Sequence, residues 1–176
     1  MQDQTRLSRL SDMLYWTVLV LSAALPMLAL FYAAMGVLDP ASLLARAPEL
    51  GPDTLVTRGQ AGLIAAVTLV SVLPMVAALR AMTRLFDQYR TGEVLSQGNA
   101  ETILGIGRAL ILVAVFTILT PTVQTLILSW HADQRTLKLA LDGGTLGFLI
   151  AAGLLTVIGW AMREAAQVKA ENEGFV

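Results

Sequence analysis

Hydrophobic residues in this chain are gathered into four long runs separated by short polar links. The runs are Leu14–Val37, Ala61–Met82, Leu104–Trp130 and Thr145–Met162. A helix of about 20 apolar residues crosses the hydrocarbon core of a bilayer, and each run is of that order. They predict an all-α fold of four transmembrane helices, packed as a compact antiparallel bundle in a single membrane domain over residues 1–176. In the second run each Leu, Ile and Val favours insertion by about 0.3–0.6 kcal/mol, enough to carry Pro74 and Gly62. The fourth run is the weakest, with several glycines, and is expected to rely on its neighbours.

Composition agrees with the pattern. Hydrophobic residues make up 56% of the chain and charged residues 14%, and mean hydropathy is +0.67. A soluble domain carries about 25% charged residues. The net charge of −1 offers no electrostatic case for direct nucleic-acid binding. Without cysteine there are no disulfides, thiolate nucleophiles or iron–sulfur ligands. Arg6 and Arg9 precede an apolar stretch, as in a signal peptide. Met13–Leu38 is nevertheless longer than the ~7–15 residues of a signal-peptide core, so the first span is expected to remain as an anchor.

Basic residues set the expected orientation. Arg6, Arg9, Arg80, Arg84, Arg90, Arg108, Arg163 and Lys169 flank one side, and Arg46, Arg58, Arg135 and Lys138 the other. The positive-inside rule then puts both termini, the 83–103 link and the 163–176 tail in the cytoplasm. The link after the first span holds Pro40, Pro48 and Pro52, with a short interfacial helix expected over Ala41–Leu50. Pro26, Pro74 and Pro121 lie inside spans, where each removes a backbone hydrogen bond and favours a kink.

No Asp, Glu, Lys, Arg or His occurs within Leu14–Val37, Ala61–Leu79, Ala109–Ser129 or Thr145–Ala161. Proton relays and ion pathways depend on such groups inside the membrane. His131, with Asp133 nearby, is a poor metal site. No enzyme activity, metal or cofactor is therefore expected. Thr117, Thr120 and Gln124 share one face of the third span, extended by Thr122 and Thr125. That face either hydrogen-bonds to a neighbouring helix or lines a cavity for a small polar ligand or lipid headgroup. Gly143 and Gly147 form a G-x-x-x-G pair suited to close helix packing, within the chain or in a homodimer.

Tyr89–Ile103, "YRTGEVLSQGNAETI", is the most polar connection. The second helix is expected to run on past the membrane, with Arg80, Arg84 and Asp87 on a charged face and Leu79, Met82 and Phe86 on an apolar one. Gly92 suits a helix stop, and Ser96 or Asn99 can cap the third helix, with Glu101 near its positive end.

The stretch "LFDQYRTGEVLSQGNAETILGIGRAL", with two spans on each side, resembles the bacterial membrane proteins catalogued as domain of unknown function 2975. The matching positions are Leu85, Phe86, Gly92, Glu93, Val94, Leu95, Ser96, Asn99, Gly107 and Arg108, and the charged tail ending in Phe175 and Val176 also fits. Leu95 stands where that family often has Phe, and "EGFV" replaces its usual Thr-Val ending. The resemblance implies a multi-pass protein of the bacterial inner membrane. It also implies association with a small helix-turn-helix regulator. The expected function is thus a non-enzymatic regulator or adaptor in the lipid bilayer. Its partner contacts would be Arg84, Asp87, Tyr89, Gly92, Glu93, Ser96, Asn99, Lys169, Glu171 and Glu173. The alternatives are an accessory subunit of a larger membrane complex, and a small transporter or lipid-binding protein using Gln124 and its threonines.

Overall fold

The computed structural model describes residues 2–44, 56–90, 96–131, 139 and 141–173, with the backbone alone for 2–10, 131, 169–170 and 172–173. Helix α1 is Gln2–Leu38, α2 is the single turn Ala41–Leu44, α3 is Arg58–Arg90, α4 is Gln97–Leu128 and α5 is Gly143–Glu173. A 3₁₀ turn, Ser129–His131, closes α4. Pro26, Pro74 and Pro121 each sit within an unbroken helix. The interfacial helix expected over Ala41–Leu50 is helical over Ala41–Leu44, and its remainder lies outside the described residues. Four helices are long and apolar enough to cross a membrane: Ser11–Leu38 within α1, α3, α4, and Gly143–Val168 within α5.

Local chemistry sets the helix ends. At the start of α3, Thr57 and Gln60 form a capping box. The Thr57 amide donates to Gln60 Oε1 at 2.9 Å, and the Gln60 amide donates to Thr57 Oγ1 at 3.3 Å. Ser96, extended at φ −109°, caps α4 by accepting from the Asn99 amide at 3.2 Å. Asp142 caps α5, its Oδ1 accepting from the Thr145 amide at 2.6 Å.

Neighbouring helices run antiparallel. Gln60 and Thr68 of α3 meet Ile127 and Gln124 of α4, so the start of one lies beside the end of the other. Gly107 and Leu104 of α4 face Thr156 and Gly159 of α5. Asp12 of α1 meets Arg90 at the far end of α3. The extensive contacts are α1 with α3, α3 with α4, and α4 with α5. Among the described residues α1 and α5 share no contact of comparable extent, so the antiparallel four-helix bundle is open along that side.

The open arrangement explains the surface. Ile150 is 73% exposed and Leu154 60% exposed on α5, while Leu28 and Phe31 stand out from α1. Apolar faces of this extent would be costly in water and need no cover in lipid. Buried contacts between helices are made instead by small residues: Ala61, Ala78, Ala100, Ala114 and Ala152 are almost wholly buried. At the Leu38–Ala61–Leu128 end, Leu43 of α2 packs into a cluster with Ala61, Ile64, Ile127 and Leu128.

The close approach of α5 to α4 depends on glycines other than the pair singled out by spacing. A Cβ at Gly159 would stand 2.6 Å from the Leu104 nitrogen, and one at Gly107 would stand 2.8 Å from the Thr156 Cα. Among the described residues nothing stands within 4 Å of a Cβ placed at Gly143 or Gly147. Gly159→Leu is expected to separate α5 from α4 and lower stability by about 1–3 kcal/mol, whereas Gly147→Leu leaves the monomer unchanged. Reversible unfolding of both variants in bicelles checks the contrast.

Candidate functional site

Among the described residues, polar side chains gather at the Arg90 end of the bundle and in the last third of α4, toward Leu128. At the Arg90 end, α3 carries its charged segment past the apolar run. The Arg90 Nε lies 2.5 Å from Asp12 Oδ1, and the guanidinium sits 4.9 Å from the centre of the Tyr15 ring. Asp87, one turn earlier, lies 3.9 Å from Arg90. Each half-exposed pair contributes little by itself, about 0–1 kcal/mol. Together the ion pair and the cation–π contact tie the end of α3 to α1. In the sequence Arg90 reads only as a positive charge, and no spacing marks Asp12 or Tyr15 as its partners.

The expected partner contacts are distributed unevenly. Arg84 and Asp87 are exposed on α3, and Tyr89 is half-buried beside them. Gly92 and Glu93 lie outside the described residues. Ser96 is engaged as a helix cap. Asn99 is fully buried, so it offers no surface to a partner and is corrected to a structural residue. Glu171 is exposed and accepts from Gln167 at 3.3 Å. Lys169 and Glu173 belong to α5, their side chains lying outside the described set.

One turn from the end of α4, Gln124 Nε2 donates to Thr68 Oγ1 at 2.9 Å, and that hydroxyl donates on to the Ile64 carbonyl at 2.8 Å. Gln124 therefore bridges two helices, as the first reading of this face expects. The same face also borders a cleft of about 320 Å³ lined by Ser71, Phe116, Thr117, Thr120, Pro121 and Gln124. Nearer α5 a second cleft of about 370 Å³ shares Thr117 and adds Met75, Asp142, Thr145 and Phe148. Ser71 and Thr117 give their hydroxyl protons to Thr68 and Val113 carbonyls, so their oxygens face the clefts as acceptors. Among the described residues the buried Thr120 hydroxyl meets no hydrogen-bond partner. Asp142 belongs with this group, although in the sequence it reads as part of a loop.

At the end opposite Arg90, Gln60 reaches from its capping box to the next helix. Its Nε2 donates to the Ile127 carbonyl at 2.8 Å. The T-x-x-Q spacing was readable in the sequence, but the bridge depends on the α3–α4 pairing.

These features lie within a stretch matched by a protein-family model. The model, described as a protein of unknown function (DUF2975), covers residues 11–174. The chain belongs to that family. No curated protein and no solved structure matches it. The family and the four long apolar helices together mark a multi-pass membrane protein.

Gln60→Leu removes the side-chain half of the capping box and a buried interhelical bond, and is expected to cost about 1–3 kcal/mol. Gln124→Leu, which removes one membrane-embedded side-chain bond, is expected to cost only about 0.6 kcal/mol. Unfolding free energies of the two variants in the same bicelles test this order.

Proposed function

We propose that the protein is a non-enzymatic membrane adaptor whose Arg90 end faces the cytoplasm and docks a small soluble partner. The observation that carries this reading is the anchoring of α3 by Arg90 to Asp12 and Tyr15. A charged helix end held in one position loses little freedom on binding, which favours recognition. Arg84 and Asp87 stand exposed on that anchored segment. The tail of α5 extends the charged surface with Glu164 and Glu171. Arginines at this end also favour the cytoplasmic leaflet and its anionic lipids. A small helix-turn-helix regulator, in a bacterial inner membrane, is the partner proposed from the family resemblance.

A second reading is favoured by the open edge of the bundle. Only 11% of the apolar window of α5 is buried, and among the described residues no neighbour stands within 4 Å of a Cβ at Gly143 or Gly147. An accessory role in a larger membrane assembly, or a homodimer, would cover that edge.

Extraction of the full chain from native membranes, with identification of what travels with it, tests both readings. Under the adaptor reading a small soluble protein co-purifies and is lost in the Arg84→Glu, Asp87→Arg double variant, while Gly147→Leu retains it. Loss of a large membrane assembly in Gly147→Leu alone would favour the accessory subunit. A partner retained undiminished by the double variant would remove Arg84 and Asp87 from the site.

A further inference from the structure

The polar face of α4 lies well inside its apolar span. At about 1.5 Å per residue, Gln124 stands about 6 Å and Thr117 about 16 Å inward of Leu128. No Asp, Glu, Lys, Arg or His occurs between Ala109 and Ser129. At this level one cleft of about 320 Å³ is bordered by Ser71 of α3 and by Thr117, Thr120 and Gln124 of α4. Thr120 breaks the pattern of its helix. Thr102, Thr117, Thr122 and Thr125 each donate to the carbonyl one turn back, at 2.6–3.1 Å. The Thr120 hydroxyl is buried, and among the described residues it meets no partner. A hydroxyl left in this state in apolar surroundings is costly and calls for an explanation.

The remaining groups on the cleft set what it can hold. Ser71 Oγ and Thr117 Oγ1 give their protons to the Thr68 and Val113 carbonyls, so both oxygens can only accept. Pro121 has no N–H to return to the Thr117 carbonyl, which is a further acceptor on the same turn. The Thr68 hydroxyl donates to Ile64 and therefore accepts from Gln124. This orients the Gln124 amide, and leaves its Oε1 and one N–H unused among the described residues. Acceptors thus outnumber donors. Among the described residues no charged side chain lines the cleft, so an ion would meet no opposite charge. Val113 and Phe116 supply apolar walls.

We propose that this cleft binds the hydroxyl group of an uncharged amphiphile. The ligand oxygen accepts from Thr120 and donates its own hydrogen to Ser71 Oγ or Thr117 Oγ1, while the apolar part lies against Val113 and Phe116. A helical threonine has two favoured χ1 settings, which let the enclosed hydroxyl turn into the cleft. An ether, ester or ketone can only accept, and would leave the acceptors of the cleft unmet. A charged headgroup is disfavoured at this depth. The hydroxyl can belong to a diacylglycerol or to a long-chain alcohol, both of which dissolve in a bilayer. This site is independent of the adaptor surface at Arg84 and Asp87.

The test uses the full chain in phosphatidylcholine nanodiscs and native mass spectrometry. Adducts of dioleoylglycerol are compared with those of its O-methyl ether, and adducts of hexadecanol with those of hexadecyl methyl ether. Each ether keeps the oxygen and cannot donate. Thr120→Val keeps the shape of the side chain and removes only the unpartnered hydroxyl. Ser71→Ala serves as a second variant, and circular dichroism confirms helix content in both. A preference of about tenfold for dioleoylglycerol over its ether, lost in Thr120→Val, supports a diacylglycerol ligand. A similar preference confined to the hexadecanol pair, and lost in the same variant, supports a long-chain alcohol. The same preference in both pairs supports a hydroxyl site open to either source. Equal binding within both pairs overturns the proposal, as does a preference that survives Thr120→Val unchanged. If Thr120→Val loses helix content, Ser71→Ala decides: an undiminished preference overturns the site, and a weakened one supports it.

Discussion

Gly107 and Gly159 let the backbones of α4 and α5 meet, and among the described residues α4 is the long helix with which α5 makes extensive contact. In lipid there is no hydrophobic force between apolar helices, so association depends on close packing and on hydrogen bonds. Along α3 and α4 both are present: small buried residues are joined by the Gln60–Ile127 and Gln124–Thr68 bonds. Along α4 and α5 the glycine contact dominates. It fixes the height of α5 in the bundle, and through it the place of Asp142 beside Thr117. The polar clefts therefore depend on two residues that carry no polar side chain.

The two polar regions place different demands on the protein. At the Arg90 end, charges lie beyond the apolar spans, where solvent screens them and single pairs matter little. Their value there is positional, because Arg90 engages both a carboxylate and an aromatic ring of α1. Toward the Leu128 end of α4 the surroundings are apolar, and each acceptor without a donor is costly.

Much of the architecture was legible in the sequence because lipid acts on each residue directly. Four apolar runs announce four spans whatever their partners. The Ser96 cap was legible for a similar reason, since its acceptor and donor are three residues apart. What stayed hidden depends on register between helices. Gly143 and Gly147 satisfy a spacing rule on one helix, yet close approach needs a small residue opposite a backbone at the same height, which Gly107 and Gly159 supply. Asp12 could not be linked to Arg90 before α1 and α3 were known to be neighbours. Asp142 reads as a loop residue until the register of α5 brings it level with Thr117.

The order in which the long helices pack is also their order along the chain. Each span docks on the one made immediately before it, and none has to wait for a distant segment to be synthesised. Contacts of this kind close short loops and favour rapid assembly. As the ribosome delivers the chain, α3 can settle on α1, and α4 on α3, before the last helix emerges. Biogenesis can then proceed by successive addition, with α5 as the closing step.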